Sequence, residues 1–237
     1  MKNIVYPDAS EGIEETLAGH RRESLEKLGD LKIFYDAPAD HQEFLKRIDG
    51  AHALLVGWAL PVEVMTQTPT LEILSFTGIG ASNFIDLPAA AIQGITVCNC
   101  PGYADYTVAE HTLALLLAAA RHVPQLDAEL RDGRWNQSLD GMELRGKQLG
   151  IIGFGGIGRR VFELARAFGM AVKVWTRNPS EARAREHGVE FVSLDKLLQT
   201  SDVVSLHVAL TDDTQGLINA GRIKQMKPGA LLINTAR

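Results

Sequence analysis

With 237 residues, 46% of them hydrophobic and 22% charged, the chain has the composition of one or two globular domains with ample material for a core. A formal net charge of -5 and a pI near 5.8, without clustered lysine and arginine, exclude a nucleic-acid partner. MKNIVYPD at the start lacks a long apolar stretch, and the most apolar run, Leu113 to Ala120, is far too short to span a bilayer, so no membrane partner and a cytoplasmic location are expected.

Strand-like and helix-like runs alternate from the first residues. KNIVY is followed by a helix from Gly12 to Leu28, LKIFYD, a helix from His41 to Ile48, HALLVGW, a short helix PVEVMTQ, EILSFTG, a short helical stretch and ITVCNC. Such alternation predicts a parallel sheet covered on both faces, so residues 1–100 are expected to form one α/β domain. No GxGxxG follows its strands. Its glycine-rich turn, Thr77-Gly78-Ile79-Gly80, ends a strand at the edge where open α/β sheets receive ligands. Backbone N–H groups there suit a small carboxylate, and a plain turn fits equally. Cys98 and Cys100, the only cysteines, alternate onto one face of ITVCNC and are expected to be buried, reduced thiols; no metal site is predicted.

Asn99 to Tyr103 reads as a turn, and Thr107 with Glu110 as a capping box opening the helix VAEHTLALLLAAAR. That helix is apolar on nearly every side, the pattern of a helix buried in the fold or against a partner. LDAELRDGRWNQ fits a second helix ending near Gly133. Residues 101–147 are therefore expected to form an interdomain crossover and a homodimer surface, with Glu110 and His111 in structural roles.

QLGIIGFGGIGR, from Gln148 to Arg159, carries the clearest chemistry. Leu149, Ile151 and Ile152 make a buried strand, Gly153, Gly155 and Gly158 fall in GxGxxG order, and Val161, Leu164, Ala165 and Phe168 restart with helical spacing. Gly153 permits the tight turn, Gly155 lets backbone approach a pyrophosphate, and Gly158 lets helix and sheet pack closely. The helix start offers free N–H groups and a positive dipole end to the anion. Phe154, Gly156 and Ile157 complete this cofactor-binding turn. AVKVWT, EARAREHG, VEFVS, LDKLLQT, DVVSLHV, INAGRIKQM and ALLINTA follow, giving a five-stranded Rossmann domain over residues 148–237. The strand AVKVWT ends in Thr176-Arg177 where an NAD site would place an acid. A guanidinium without a carboxylate favours NADP, with NAD possible.

NCPGYADYTVAEHTLALLLAAAR, GKQLGIIGFGGIGRRVFELARAFGM, SDVVSLHVALTDDTQGLIN and MKPGALLINTAR resemble the D-isomer-specific 2-hydroxyacid dehydrogenases, closest in flavour to glyoxylate and hydroxypyruvate reductases. The resemblance implies two doubly wound domains, a flavodoxin-like substrate domain and a Rossmann NAD(P)-binding domain. It also implies a homodimer through the helix after Val108 and hydride transfer between a nicotinamide and a small 2-oxo acid. By position, Gly78 and Ile79 would bind the substrate carboxylate, and Arg237 would be the catalytic arginine that binds it and polarises the keto group. Val108, His207, Val208, Ala209, Thr214, Thr235 and Ala236 would line the cofactor. Trp58, after a strand of the first domain, suits an unphosphorylated substrate, or a place in the core.

Two departures from the family pattern follow. Ala209 stands where proline is usual, and the family's catalytic histidine and glutamate lie downstream of the motif ending in Arg237. The chain is thus expected to be a truncated member whose Rossmann domain is incomplete at its C-terminus. A catalytically silent dinucleotide-binding dimer, acting as a sensor or interaction protein, is the alternative. Of the histidines only His207 falls on the correct sheet rim, where a packing or cofactor contact is expected ahead of an acid role.

Overall fold

The structure is a computed structural model and describes residues 1–236. It divides into two compact units, Met1–Tyr103 and Ala104–Arg237.

In the first unit β1 (Lys2–Tyr6) leads through α1 (Ile13–Thr16) and α2 (His20–Glu26) to β2 (Gly29–Ile33). There follow α3 (His41–Ile48), β3 (Ala53–Val56), α4 (Val62–Gln67), β4 (Ile73–Phe76), a 3₁₀ turn, α5 (Leu87–Ile92) and β5 (Thr96–Cys98). All pairings are parallel, in the order β2-β1-β3-β4-β5, which is the flavodoxin-like arrangement. Val5, Leu54, Leu74 and Phe76 from the strands meet Ile48, Val64 and Met65 from the helices in the core. Asp40 Oδ1 accepts from Glu43 N at 2.8 Å and starts α3, while Asp86 does the same for α5 through Ala89 N.

Two expectations need correction here. The helix foreseen from Gly12 to Leu28 is broken, because Gly19 adopts φ 62°, ψ -134°, a conformation outside any helix and open to glycine. Both cysteines are exposed rather than buried. β5 is an edge strand ending at Cys98, so alternation no longer governs Cys100 beyond it.

The second unit opens with α6 (Asp105–Ala120) and α7 (Val123–Arg131). β6 (Gln148–Ile152), α8 (Gly156–Ala167), β7 (Ala171–Trp175), α9 (Glu181–His187) and β8 (Glu190–Phe191) come next. The unit continues with α10 (Leu194–Thr200), β9 (Val203–Leu206), α11 (Ala220–Ile223) and β10 (Leu231–Asn234). The parallel order β10-β9-β6-β7-β8 puts the glycine-turn strand at the centre, as in the doubly wound nucleotide fold. α6 enters this core: Ala109, Leu113 and Leu116 pack with Leu149, Ile151 and Val161. The proposed capping box at its start does not form. The helix begins at Asp105, so Thr107 already lies in its first turn, and Ala104 at the N-cap position offers no side-chain acceptor.

On the opposite face of β6, α10 approaches so closely that a methyl group on Gly150 would meet Leu197 and the Ser201 hydroxyl. Overpacking of this kind costs about 1–3 kcal/mol. Gly150→Ala is therefore expected to lower the melting temperature of the second unit by several degrees, as followed by circular dichroism.

Candidate dinucleotide and carboxylate sites

β6 leaves its sheet at Gly153, whose φ of +102° favours glycine, and its N–H donates to Trp175 O at 2.9 Å. A side chain there would run into the His207 carbonyl. Phe154 turns its ring inward, 4% exposed, edge-on to Phe162, Phe191 and His187, and its carbonyl accepts from Arg183 Nη2 at 2.8 Å. Phe154 therefore offers the site main chain only. Gly155 is different: it precedes α8 in extended backbone, and nothing lies within 4 Å of where its Cβ would be. A methyl group on Gly158 would land on the Gly153 carbonyl oxygen, so helix and turn touch there.

The three glycines thus have separable physical jobs, and the open one faces the helix start. Among the described residues the N–H groups of Gly156, Ile157 and Gly158 make no hydrogen bond, the first intrahelical one being Arg159 N to Gly155 O at 3.0 Å. Free amides, the positive end of the helix dipole and an open approach form a cradle for an anion. Sequence spacing missed the role of Gly156: the Asp105 carboxylate lies where a Cβ would stand, bringing the first turn of α6 against α8. Arg160 adds to this contact with its guanidinium 4.3 Å above the Tyr106 ring. No one-dimensional signal joins Asp105 to Gly156.

The rim on either side of the turn comes from β7 and β9. Beyond β9, Val208, Ala209 and Thr214 face a hollow completed by Asn234 at the end of β10 and Ala236 after it. Thr214 Oγ1 donates to Ala209 O at 2.6 Å and accepts from Thr211 N at 2.8 Å, so the segment is folded on itself. Thr235 Oγ1 lies 2.9 Å from Thr112 Oγ1, and Thr112 bonds Val108 O at 2.8 Å, which ties the β10 end to α6. Beyond β7, Thr176 and Arg177 border a second hollow with Trp175, Phe191, Val192 and Ser193. Arg177 Nη1 is 3.0 Å from Asp213 Oδ2, a partner that sequence reading did not foresee.

His207 donates its backbone N–H to Ile152 O at 2.7 Å and shares a hydrogen bond between Nε2 and Ser205 Oγ at 2.9 Å. Burial pushes its pKa down from the ordinary 6.5 to about 4. Near neutral pH the ring is uncharged, able to hold a hydrogen bond but ill suited to give up a proton.

In the first unit, Thr77-Gly78-Ile79-Gly80 follows β4 at the carboxyl edge of the sheet. Gly78 O accepts from Cys100 N at 2.9 Å and Ile79 O from Asn99 Nδ2 at 2.6 Å. The Gly78 and Ile79 N–H groups make no hydrogen bond among the described residues, so two anchored amides are free for an acceptor. Thr77 hydrogen-bonds Tyr6, whose phenol is pushed up in pKa chiefly by burial. Trp58, after β3, is 61% exposed rather than in the core. Arg237 lies outside the described residues.

A family model described as D-isomer specific 2-hydroxyacid dehydrogenase, NAD binding domain, matches residues 113–237. A D-3-phosphoglycerate dehydrogenase of Mycobacterium bovis is 40% identical over 205 residues, 85% of this chain and 38% of the relative. A glyoxylate reductase of Aeropyrum pernix is 38% identical over 226 residues, covering 91% of this chain and 67% of the relative. Among solved structures, an acyclic imino acid reductase in complex with NADPH and D-Arg superposes with a TM-score of 0.85 at 30% identity, covering 99% of this chain and 74% of that one. The chain thus spans 38% of the length of the phosphoglycerate dehydrogenase it matches.

Two outcomes follow from the site. Gly155→Ala places a methyl group in open space and should leave the melting temperature unchanged while weakening dinucleotide binding about tenfold or more, whereas Gly158→Ala should destabilise the fold itself; calorimetry and cofactor titration separate the two. For His207 the folded state favours the neutral form, so its stabilising contribution is complete above pH 6.5 and is lost as pH falls toward 4. Urea unfolding across that window should show His207→Gln losing less stability than the parent, by up to about 3 kcal/mol.

Proposed function

The chain belongs to the D-isomer specific 2-hydroxyacid dehydrogenase family, and from that premise we propose that it serves the reversible reduction of a small, unphosphorylated 2-oxo acid. The substrate is of the glyoxylate or hydroxypyruvate kind, the product is the D-2-hydroxy acid, and NADP is preferred with NAD accepted. The observation that carries the reading is the cradle at Gly155: an open approach beside the free amides of Gly156, Ile157 and Gly158. These residues fit a dinucleotide pyrophosphate.

The nicotinamide, when bound, supplies the hydride. This chain's residues do the rest of the holding. Thr176 and Arg177 are assigned to the adenosine ribose and its 2′ substituent, and His207, Val208, Ala209, Thr214, Thr235 and Ala236 to the other half of the cofactor, with Val108 beside them. Gly78 and Ile79 are assigned to the substrate carboxylate through their amides. Arg237 is assigned to the same carboxylate and to polarising the keto oxygen, where a fixed positive charge is worth most as negative charge develops. His207, neutral near pH 7, is not assigned the proton that the reduced oxygen takes up; with no donor assigned among these residues, that proton comes from water. Trp58 supports a substrate without a phosphate, since a bare indole offers that group no charge.

A homodimer through α6 and α7 belongs to the same reading. Tyr106 and Leu115 on α6, Val123 and Leu130 on α7, and Trp135 beyond it are large hydrophobic side chains left exposed. A cytoplasmic setting is in keeping with two exposed cysteines that form no disulfide. No helix among the described residues is long and apolar enough to cross a membrane.

The test is nicotinamide oxidation by the purified protein with glyoxylate, hydroxypyruvate and 3-phosphohydroxypyruvate, using NADPH and NADH in turn. Turnover of the first two, faster than the phosphorylated acid by about tenfold in kcat/KM, is the expected result, and binding of a dinucleotide with no turnover of any of the three would favour the silent dinucleotide-binding alternative. Failure to bind either dinucleotide would sink the reading.

A further inference from the structure

β6 pairs with β7 on one side and β9 on the other, so that Trp175, Ile152 and Leu206 stand side by side at the carboxyl edge. Arg177 follows β7, and Asp213 lies in the segment between β9 and α11. Their ion pair, Nη1 to Oδ2 at 3.0 Å, therefore crosses the end of β6, in front of the glycine turn. This is the crevice where open α/β sheets of this order take their ligands.

Stability does not account for the pair. Its side chains are 54% and 74% exposed, and a solvated ion pair of this kind adds little to folding. Placement is another matter. Asp213 is held by its neighbours, since Thr214 closes the segment through Ala209 O and Thr211 N, and Gln215 N donates to Thr211 O at 2.8 Å. The base of Arg177 is held just after a strand whose Trp175 and Val174 carbonyls are bonded to Gly153 N and Val192 N. Between these anchored segments the two exposed side chains can exchange partners, the long arginine most of all.

We propose that Asp213 is a specificity-determining residue for the dinucleotide, its carboxylate competing with an adenosine 2′-phosphate for Arg177. The inference rests on the cofactor site assigned above. In nucleotide folds of this type an acid at the end of the second strand selects for NAD by bonding the ribose hydroxyls and repelling a 2′-phosphate. Here that position carries Arg177, and an acid reaches the same place from a different segment. The two groups act with opposite sign. A 2′-phosphate must draw the guanidinium away from Asp213 and sit beside a negative charge, whereas a 2′-hydroxyl leaves the ion pair intact. Asp213 thereby moderates the preference that Arg177 creates, and both dinucleotides are accepted.

Equilibrium titration of nicotinamide fluorescence tests this on the full chain, comparing Asp213→Asn, Arg177→Ala and the double variant for NADPH and NADH. Asp213→Asn is expected to tighten NADPH roughly three- to fivefold, the range of an exposed ion pair, and to leave NADH within about twofold. The gain should shrink as salt is raised and vanish in the double variant. An equal change for both dinucleotides, or none, in a chain whose Arg177→Ala variant loses NADPH affinity would overturn the role of Asp213 and leave the NADP reading standing. Unchanged NADPH affinity in Arg177→Ala would remove Arg177 from the cofactor site and the inference with it. Absence of binding by the parent chain would overturn both.

Discussion

At the carboxyl end of β6 three stretches of main chain meet around Gly153. Gly153 donates to Trp175 O, His207 donates to Ile152 O, and the His207 carbonyl fills the space that a Cβ on Gly153 would need. Strand spacing leaves room for such contact only where the turning residue has no side chain and tolerates φ of +102°. The turn is thereby locked to both neighbouring strands at once. From this lock the rest is positioned: α8 starts with its amides outward, Thr176 and Arg177 emerge on one side, and His207 to Ala209 emerge on the other.

Much of this was legible in the sequence because it is local. An apolar strand, glycines at fixed offsets and a helical repeat lie within one short stretch, and each reports on a neighbour a few residues away. The βαβ alternation was legible for the same reason, and it implied both sheets. What escaped reading was either conformational or remote. Gly19 carries no mark distinguishing a break from a tolerated helical glycine. Thr107 and Glu110 have capping-box spacing, but the helix starts earlier, at Asp105, whose carboxylate lies against Gly156. Cys98 and Cys100 alternate correctly, yet alternation says nothing about a strand being at the sheet edge or about where it stops. Asp213 is one acid in a polar run until the order of the strands brings its segment opposite Arg177.

The two units use the same device with different parts. Each presents main-chain amides with no hydrogen bond among the described residues at the carboxyl edge of a parallel sheet: Gly78 and Ile79 after β4 in one, Gly156 to Gly158 after β6 in the other. In the first, the carbonyls of the turn are tied back by Cys100 N and Asn99 Nδ2; in the second, the helix fixes the amides. Among the described residues, neither amide cluster is itself built from a charged side chain. Amide dipoles of this kind attract an anion without adding charge to the surface of a net negative chain.

Phe154 sits between two glycines, where flexibility would be expected, but its ring is wedged among Phe162, Phe191 and His187 and its carbonyl is held by Arg183. The most glycine-rich stretch of the chain is thus anchored at its middle. Ordering of the turn is completed when the unit folds, and little chain entropy remains to be lost when a ligand arrives. A turn already in shape offers a ligand its amides without a loop first having to find its conformation.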